Sequence, residues 1–282
     1  MTNETAKLEL PGLRRPDRPI SGLLLDLDGT IYRGDEAIEG APELIGSLRA
    51  ARIPYLYVTN NSSASPEDVA ERLRRMGIPA EADEVCTSAQ AAAAHAAELY
   101  PGGRVFLIGE SGLSEALLAA GLTLADEGAD VVVQGIDRDF TYGKAAAAVR
   151  ELLGGAGYIM TNPDLLLPSK GGLFPGAGSI GAMLRAASGV EPVLIGKPSP
   201  VLMDYALERL GRPADEVWVV GDNLATDIAS GESSGCRTIL VLTGLTDAES
   251  YARYAEAAGV LPFASCEGLA ELSAYITRGN GT

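Results

Sequence analysis

Two aspartates stand at the mouth of an apolar run, Leu23-Leu24-Leu25-Asp26-Leu27-Asp28-Gly29-Thr30. Adjacent carboxylates repel, so such a pair is stable only with a cation or a shared proton between them. If the strand continues, alternation sends Asp26 and Asp28 to one side, although Gly29 permits a bend. The same residues also fit a strand that ends in an Asp-Gly turn. A second run, Tyr55–Val58, leads into Thr59-Asn60-Asn61-Ser62-Ser63, whose hydroxyls, amides and backbone N–H groups can all donate to an anion. A third, Val193–Ile195, leads into Gly196-Lys197-Pro198-Ser199-Pro200 and places a lysine ahead of a helix. A fourth, Val217–Val220, leads into Gly221-Asp222-Asn223, with Asp227 five residues beyond Asp222. Asp227 alone could equally be a carboxylate that favours the positive end of a helix.

Together the four segments are more specific than any one of them. Acid pair, Thr/Asn loop, lysine and acid pair each follow a separate apolar run. One sheet edge could gather them, because ligands of open α/β sheets bind beyond the carboxyl ends of the strands. Four carboxylates, one lysine and a row of donors suit Mg²⁺ with a phosphoryl group, since Mg²⁺ prefers hard oxygen ligands. Composition points the same way. Among 282 residues there is one histidine, His95, and four lysines, Lys7, Lys144, Lys170 and Lys197. A Ser-His-Asp triad or a multi-histidine metal site therefore has almost no raw material. His95 has no partner pattern and reads as structural.

A net charge of −16 repels a polyphosphate backbone, which argues against nucleic-acid binding. The four acids make the proposed site itself formally strongly negative, so an anionic substrate requires a cation. Cys86, Cys236 and Cys266 are odd in number and lack a CxxC pair, which predicts buried apolar thiols in a reducing compartment. There is no signal-peptide pattern and no run of roughly 18 apolar residues, so a cytoplasmic protein with no membrane span is expected.

The elements that must position these residues follow from the rhythm of the chain. Further apolar runs occur at Arg104–Ile108, Asp130–Val133, Tyr158–Met160 and Thr238–Leu242, most of them separated by helical segments. Ser65 as N-cap, Pro66 at the first helical position and Gly77 at the end bound one helix; Ser199–Pro200 opens another. The alanine-rich stretches at 91–97 and 145–148 read as good helices. Short β-rich runs alternating with helices indicate parallel βαβ units. Residues 1–19 read as an irregular lead-in, residues 278–282 as a fraying end, and Pro163–Gly181 as a long loop entering a helix. Trp218 reads as core.

The chain resembles the haloacid dehalogenase-like phosphohydrolases, most closely subfamily IIA, the NagD-like and 4-nitrophenylphosphatase group. The segments DLDGT, TNNSS, GKPSP and GDN-x-x-TDI carry the resemblance, together with Thr161-Asn162-Pro163-Asp164 and Pro175-Gly176-Ala177-Gly178. It implies a doubly wound, Rossmann-like, mainly parallel α/β core at 20–80 and 191–276, with an α/β cap of the second type inserted at 81–190. Such a cap would close over the core site and exclude water.

By resemblance Asp26 is the nucleophile, Asp28 the general acid and base, and Thr59 with Asn60 and Asn61 the phosphoryl-binding loop. Lys197 neutralises charge. Mg²⁺ is held by Asp26, the Asp28 main-chain carbonyl and Asp222, with Asp227 supporting it or orienting Lys197. Asn162, Asp164 and the 134–142 segment are candidate substrate contacts, the last equally readable as helix-capping structure. The expected substrate is a small phosphorylated metabolite, a sugar or polyol phosphate or a promiscuous range of them, with 4-nitrophenyl phosphate as an artificial substrate. A nucleotide monophosphate, pyridoxal phosphate or a non-hydrolytic phospho-ligand module is the alternative. A homodimer is compatible with the family.

Overall fold

The computed structural model describes residues 9–13, 16–17, 20–169 and 172–279. Most of the 1–19 lead-in, Lys7, Lys170 and residues 280–282 lie outside that range. The chain divides into two units: one holds residues up to 58, 70–84 and 203 onward, the other 59–69 and 85–202.

In the first unit, parallel strands lie in the order Ala264–Cys266, Arg237–Val241, Val217–Gly221, Gly22–Leu25 and Tyr55–Thr59. Leu23, Leu24 and Leu25 are wholly buried, as are Tyr57, Val58, Trp218 and Val220. Near-continuous apolar strands of this kind mark a parallel sheet covered on both faces. Trp218 packs edge-on against Phe263 and Tyr275, with ring centroids 5.2 and 6.2 Å away, so it is core as expected. The chain leaves Gly22–Leu25 toward Tyr55–Thr59 on one side and returns through Val217–Gly221 on the other. The strand order therefore reverses beside Gly22–Leu25, where open α/β sheets bind ligands.

The second unit carries its own parallel sheet, ordered Val193–Leu194, Gly157–Met160, Val131–Gln134, Arg104–Ile108 and Thr123–Leu124. Phe106, Ile108, Val132, Ala148, Leu152, Tyr158 and Leu184 form its core. The alanine-rich segments are the helices Ser88–Leu99 and Tyr142–Leu153, both started by threonine caps. Thr87 forms a reciprocal capping box with Gln90, and the Thr141 hydroxyl accepts from the Lys144 N–H. The helix Pro66–Arg75 begins where Ser65 and Pro66 place it.

Pro163–Gly181 is not the long loop expected. It holds an antiparallel hairpin, Leu166–Ser169 with Gly172–Pro175, and the helix Ala177–Ser188 is already under way by Gly181. Pro168 lies within the first strand, Gly172 and Pro175 at the ends of the second, and Gly178 and Gly181 in the helix, while backbone pairing between the strands forms the hairpin. His95 is half-buried within the helix Ser88–Leu99, and the three cysteines are buried.

Candidate active site

Register brings two acidic loops to one level. Leu25 pairs with Val220, so Asp26 and Asp222 leave neighbouring strands together, and the Asp26 N–H donates to the Val220 carbonyl at 2.9 Å. Asp227 joins them from a π-helical turn, Leu224–Ile228, whose first N–H groups are held by Asn223. Its Oδ2 accepts from the Asn223 N–H at 3.1 Å, which points the carboxylate back toward the strand end. Such turns recur at functional sites because they reposition side chains that a regular helix would aim elsewhere.

Asp26, Asp222 and Asp227 each offer a carboxylate oxygen within 4.8 Å of the others. Asp222 and Asp227 are buried. Carboxylates crowded this closely at a strand end repel unless a cation screens them. An all-oxygen donor set is what a hard divalent ion prefers, so the residues present fit a metal of the Mg²⁺ type.

Asp28 stands apart from the three. The strand stops at Leu25, the chain turns through Gly29 at φ +85°, and the Asp28 carboxylate is exposed and accepts from the Tyr32 hydroxyl at 3.0 Å. The bend the glycine permits has therefore taken place, and Asp26 and Asp28 are not two neighbours on one continuing strand. Arg72 stacks 4.5 Å from the Tyr32 ring centre and donates to its hydroxyl at 3.3 Å. Burial and the nearby Asp28 charge push the Tyr32 phenol well above its usual range, so it stays protonated as a donor to that carboxylate.

In the second unit, Thr59 and Lys197 are both buried, Lys197 only 2 % exposed. A buried ammonium is stable only beside negative charge. The Thr59 hydroxyl oxygen accepts from the Asn61 N–H at 3.1 Å, which leaves its own proton to donate outward. Asn60 is bonded through its side chain to the backbone of Lys197. Its side-chain oxygen accepts from the Lys197 N–H at 2.8 Å and its amide donates to the Lys197 carbonyl at 2.9 Å. Both polar ends thus clamp the backbone of the lysine, which precedes a cis proline peptide.

Asn162 is likewise engaged: its amide donates to the Asn60 carbonyl at 3.2 Å and its oxygen accepts from the Asp164 N–H at 2.7 Å. Asn61 accepts from the backbone and hydroxyl of Ser63. Asp164 is exposed. In the 134–142 segment, Gln134 is buried and bonded to Gly135, Ala177 and Tyr158. Buried Asp137 pairs with Lys144 at 2.7 Å, and Thr141 is a helix cap. These contacts hold the unit together. The sequence reading missed the loop Thr243–Thr246, although it too is small and polar and follows an apolar strand.

Comparison with known proteins gives the family. Residues 23–123 match a family model described as haloacid dehalogenase-like hydrolase, and residues 194–271 a model described as HAD-hydrolase-like. The chain is 45% identical over 228 residues to the 5'-nucleotidase YutF of Bacillus subtilis, covering 81% of this chain and 89% of that protein. It is 48% identical over 227 residues to the acid sugar phosphatase of Staphylococcus saprophyticus, covering 80% and 88%. Among solved structures, p-nitrophenyl phosphatase from Archaeoglobus fulgidus superposes with a TM-score of 0.87 at 36% identity, covering 91% of this chain and 99% of that one.

Proposed function

The chain belongs to the haloacid dehalogenase-like hydrolases, in the NagD and p-nitrophenyl phosphatase group, and we propose that it hydrolyses the monoester of a small phosphorylated metabolite with Mg²⁺. It is a phosphatase of that family; the ion, the residue roles and the substrate class are our reading. The observation that carries it is the group of Asp26, Asp222 and Asp227 at adjacent strand ends.

Asp26 attacks phosphorus through a carboxylate oxygen, and the bond to the ester oxygen breaks to leave an aspartyl-phosphate. Asp28 gives its proton to the departing alkoxide, then takes one from the water that attacks phosphorus and releases phosphate and free Asp26. The Tyr32 hydroxyl holds the Asp28 carboxylate for both transfers. Thr59 donates to a phosphoryl oxygen, and Lys197, oriented by Asn60, balances the charge that builds on the oxygens. Asp26, Asp222 and the Asp28 carbonyl would hold Mg²⁺, with Asp227 behind them. Bound there, the ion supplies positive charge to nucleophile and phosphoryl group alike.

The acid sugar phosphatase relative supports a sugar or polyol phosphate as substrate. The 5'-nucleotidase relative favours a second reading, a nucleoside monophosphate. Among the described residues no helix is long and apolar enough to cross a membrane, and a cytoplasmic enzyme is the reading we adopt. Phosphate release from a panel of sugar, polyol and nucleoside phosphates, with and without EDTA, tests the activity, its substrate class and its metal dependence. The expected result is turnover that EDTA abolishes and that Asp26→Asn eliminates. Metal-free turnover, or activity that survives in the asparagine variant, would overturn the mechanism.

A further inference from the structure

We propose that the loop Thr243-Gly244-Leu245-Thr246 is the device that orients Asp222 for its metal, with Gly244 and Thr243 as positioning residues. The inference rests on the reading of Asp222 as a metal ligand and extends it to residues outside the segments that carry the family resemblance.

The loop follows the strand Arg237–Val241 and grips Asp222 at two points. The Thr246 N–H donates to the Asp222 carbonyl at 3.2 Å, and the Leu245 N–H donates to Asp222 Oδ2. Between these two bonds the Gly244 backbone lies against the carboxylate, and a Cβ added there would overlap Oδ2. Gly29 also lies against it: its added Cβ would be 2.5 Å from the same oxygen and 3.1 Å from the Gly244 Cα. The carboxylate therefore occupies a slot that the two glycines leave open. Thr243 closes that slot, because its hydroxyl donates to the Gly29 carbonyl at 2.7 Å, and Arg33 donates to the Thr243 carbonyl.

An ordinary turn explains Gly29, whose φ of +85° disfavours a side chain. It does not explain Gly244, whose φ lies outside the left-handed region. What Gly244 provides is space for the Asp222 carboxylate. With Oδ2 engaged by a backbone N–H, rotation of the carboxylate is restrained and the direction of its ligand oxygen is set before any ion arrives. Groups that orient a metal ligand in this way typically matter about 10–100-fold in metal affinity.

The test is Mg²⁺ binding by the full-length, metal-stripped protein, read by titration calorimetry and by the Mg²⁺-induced rise in melting temperature, neither of which requires turnover. Gly244→Ala is expected to weaken the Mg²⁺ dissociation constant by about 10–100-fold. Thr243→Val should weaken it in the same direction, and Thr243→Ser should restore it. Wild-type affinity in both Gly244→Ala and Thr243→Val would overturn the proposal. If Gly244→Ala does not fold, the threonine pair decides alone, and equal constants for the valine and serine variants overturn it. A wild-type protein that binds no Mg²⁺ would overturn the metal reading and this proposal with it. Normal wild-type binding with unaffected variants would overturn only the role of the loop.

Discussion

At the scale of single residues, the polar side chains around the site fall into two sets that their chemistry alone does not separate. Asn60 is as able as Thr59 to donate to a phosphoryl oxygen, yet both its polar ends bind the backbone of a residue 137 positions away. It should therefore act through Lys197. Asn60→Ala is expected to lower kcat by about tenfold or more, and adding it to Lys197→Ala should cost little further, as coupled residues are non-additive. Full additivity in steady-state kinetics would contradict the clamp. Tyr32 acts similarly on Asp28: Tyr32→Phe keeps the ring against Arg72 and removes only the hydroxyl donor. A fall in kcat of about tenfold to a hundredfold, with KM little changed, is expected from one lost hydrogen bond to a charged group. Asp26, Asp28, Lys197 and Asp222 stand out in the sequence because each lies just beyond an apolar run, and Asp227 because it follows Asp222 by five residues. The backbone partners of Asn60 and Asn162 were not legible, because a loop amide serves backbone and ligand equally well.

At the scale of elements, glycine content misleads where it marks close approach. Gly112, in the first turn of the helix Ser111–Ala119, has no room for a side chain: an added Cβ would lie 2.5 Å from the carbonyl carbon of Ala64. The Gly112 N–H also donates to the Ser63 carbonyl at 3.1 Å, which ties the helix to the loop that follows Thr59. Gly112→Ala, favourable by helix propensity, should instead destabilise the protein by about 1–3 kcal/mol, since overpacking against backbone is hard to relieve. Urea unfolding measures this, and an unchanged or raised midpoint would contradict it. Helices with Ser, Thr and Pro at their starts were readable locally because a cap satisfies its own first turn. The hairpin Leu166–Ser169 with Gly172–Pro175 was not, because its strands exist through pairing with each other.

At the scale of the whole molecule, the buried thiols link stability to pH. Burial pushes Cys236 and Cys266 up to about 12, with Asp204 and Glu271 adding to it. An unfolded thiol loses its proton at about 8.5, so the unfolded state binds fewer protons above that value. The contribution of these thiols is thus complete below about pH 8.5 and is lost as pH rises toward 12. Urea midpoints should fall more steeply over that range in the wild type than in a Cys236→Ala, Cys266→Ala variant; parallel curves would contradict the linkage. At pH 8 a thiol reagent should react with the native protein only slowly and with all 3 cysteines after unfolding. The sequence by itself determined the alternation of strands and helices, the buried Trp218 and cysteines, and the carboxylate character of the site, all set by apolar patterning and the scarcity of histidine and lysine. Tertiary structure alone decided that Asp28 leaves the group of three acids, that Asn60 serves Lys197, and that Gly244 makes room for Asp222. The first is a turn that Gly29 permits without requiring; the other two are contacts between segments distant in sequence, which depend on register and chain approach that local composition does not encode.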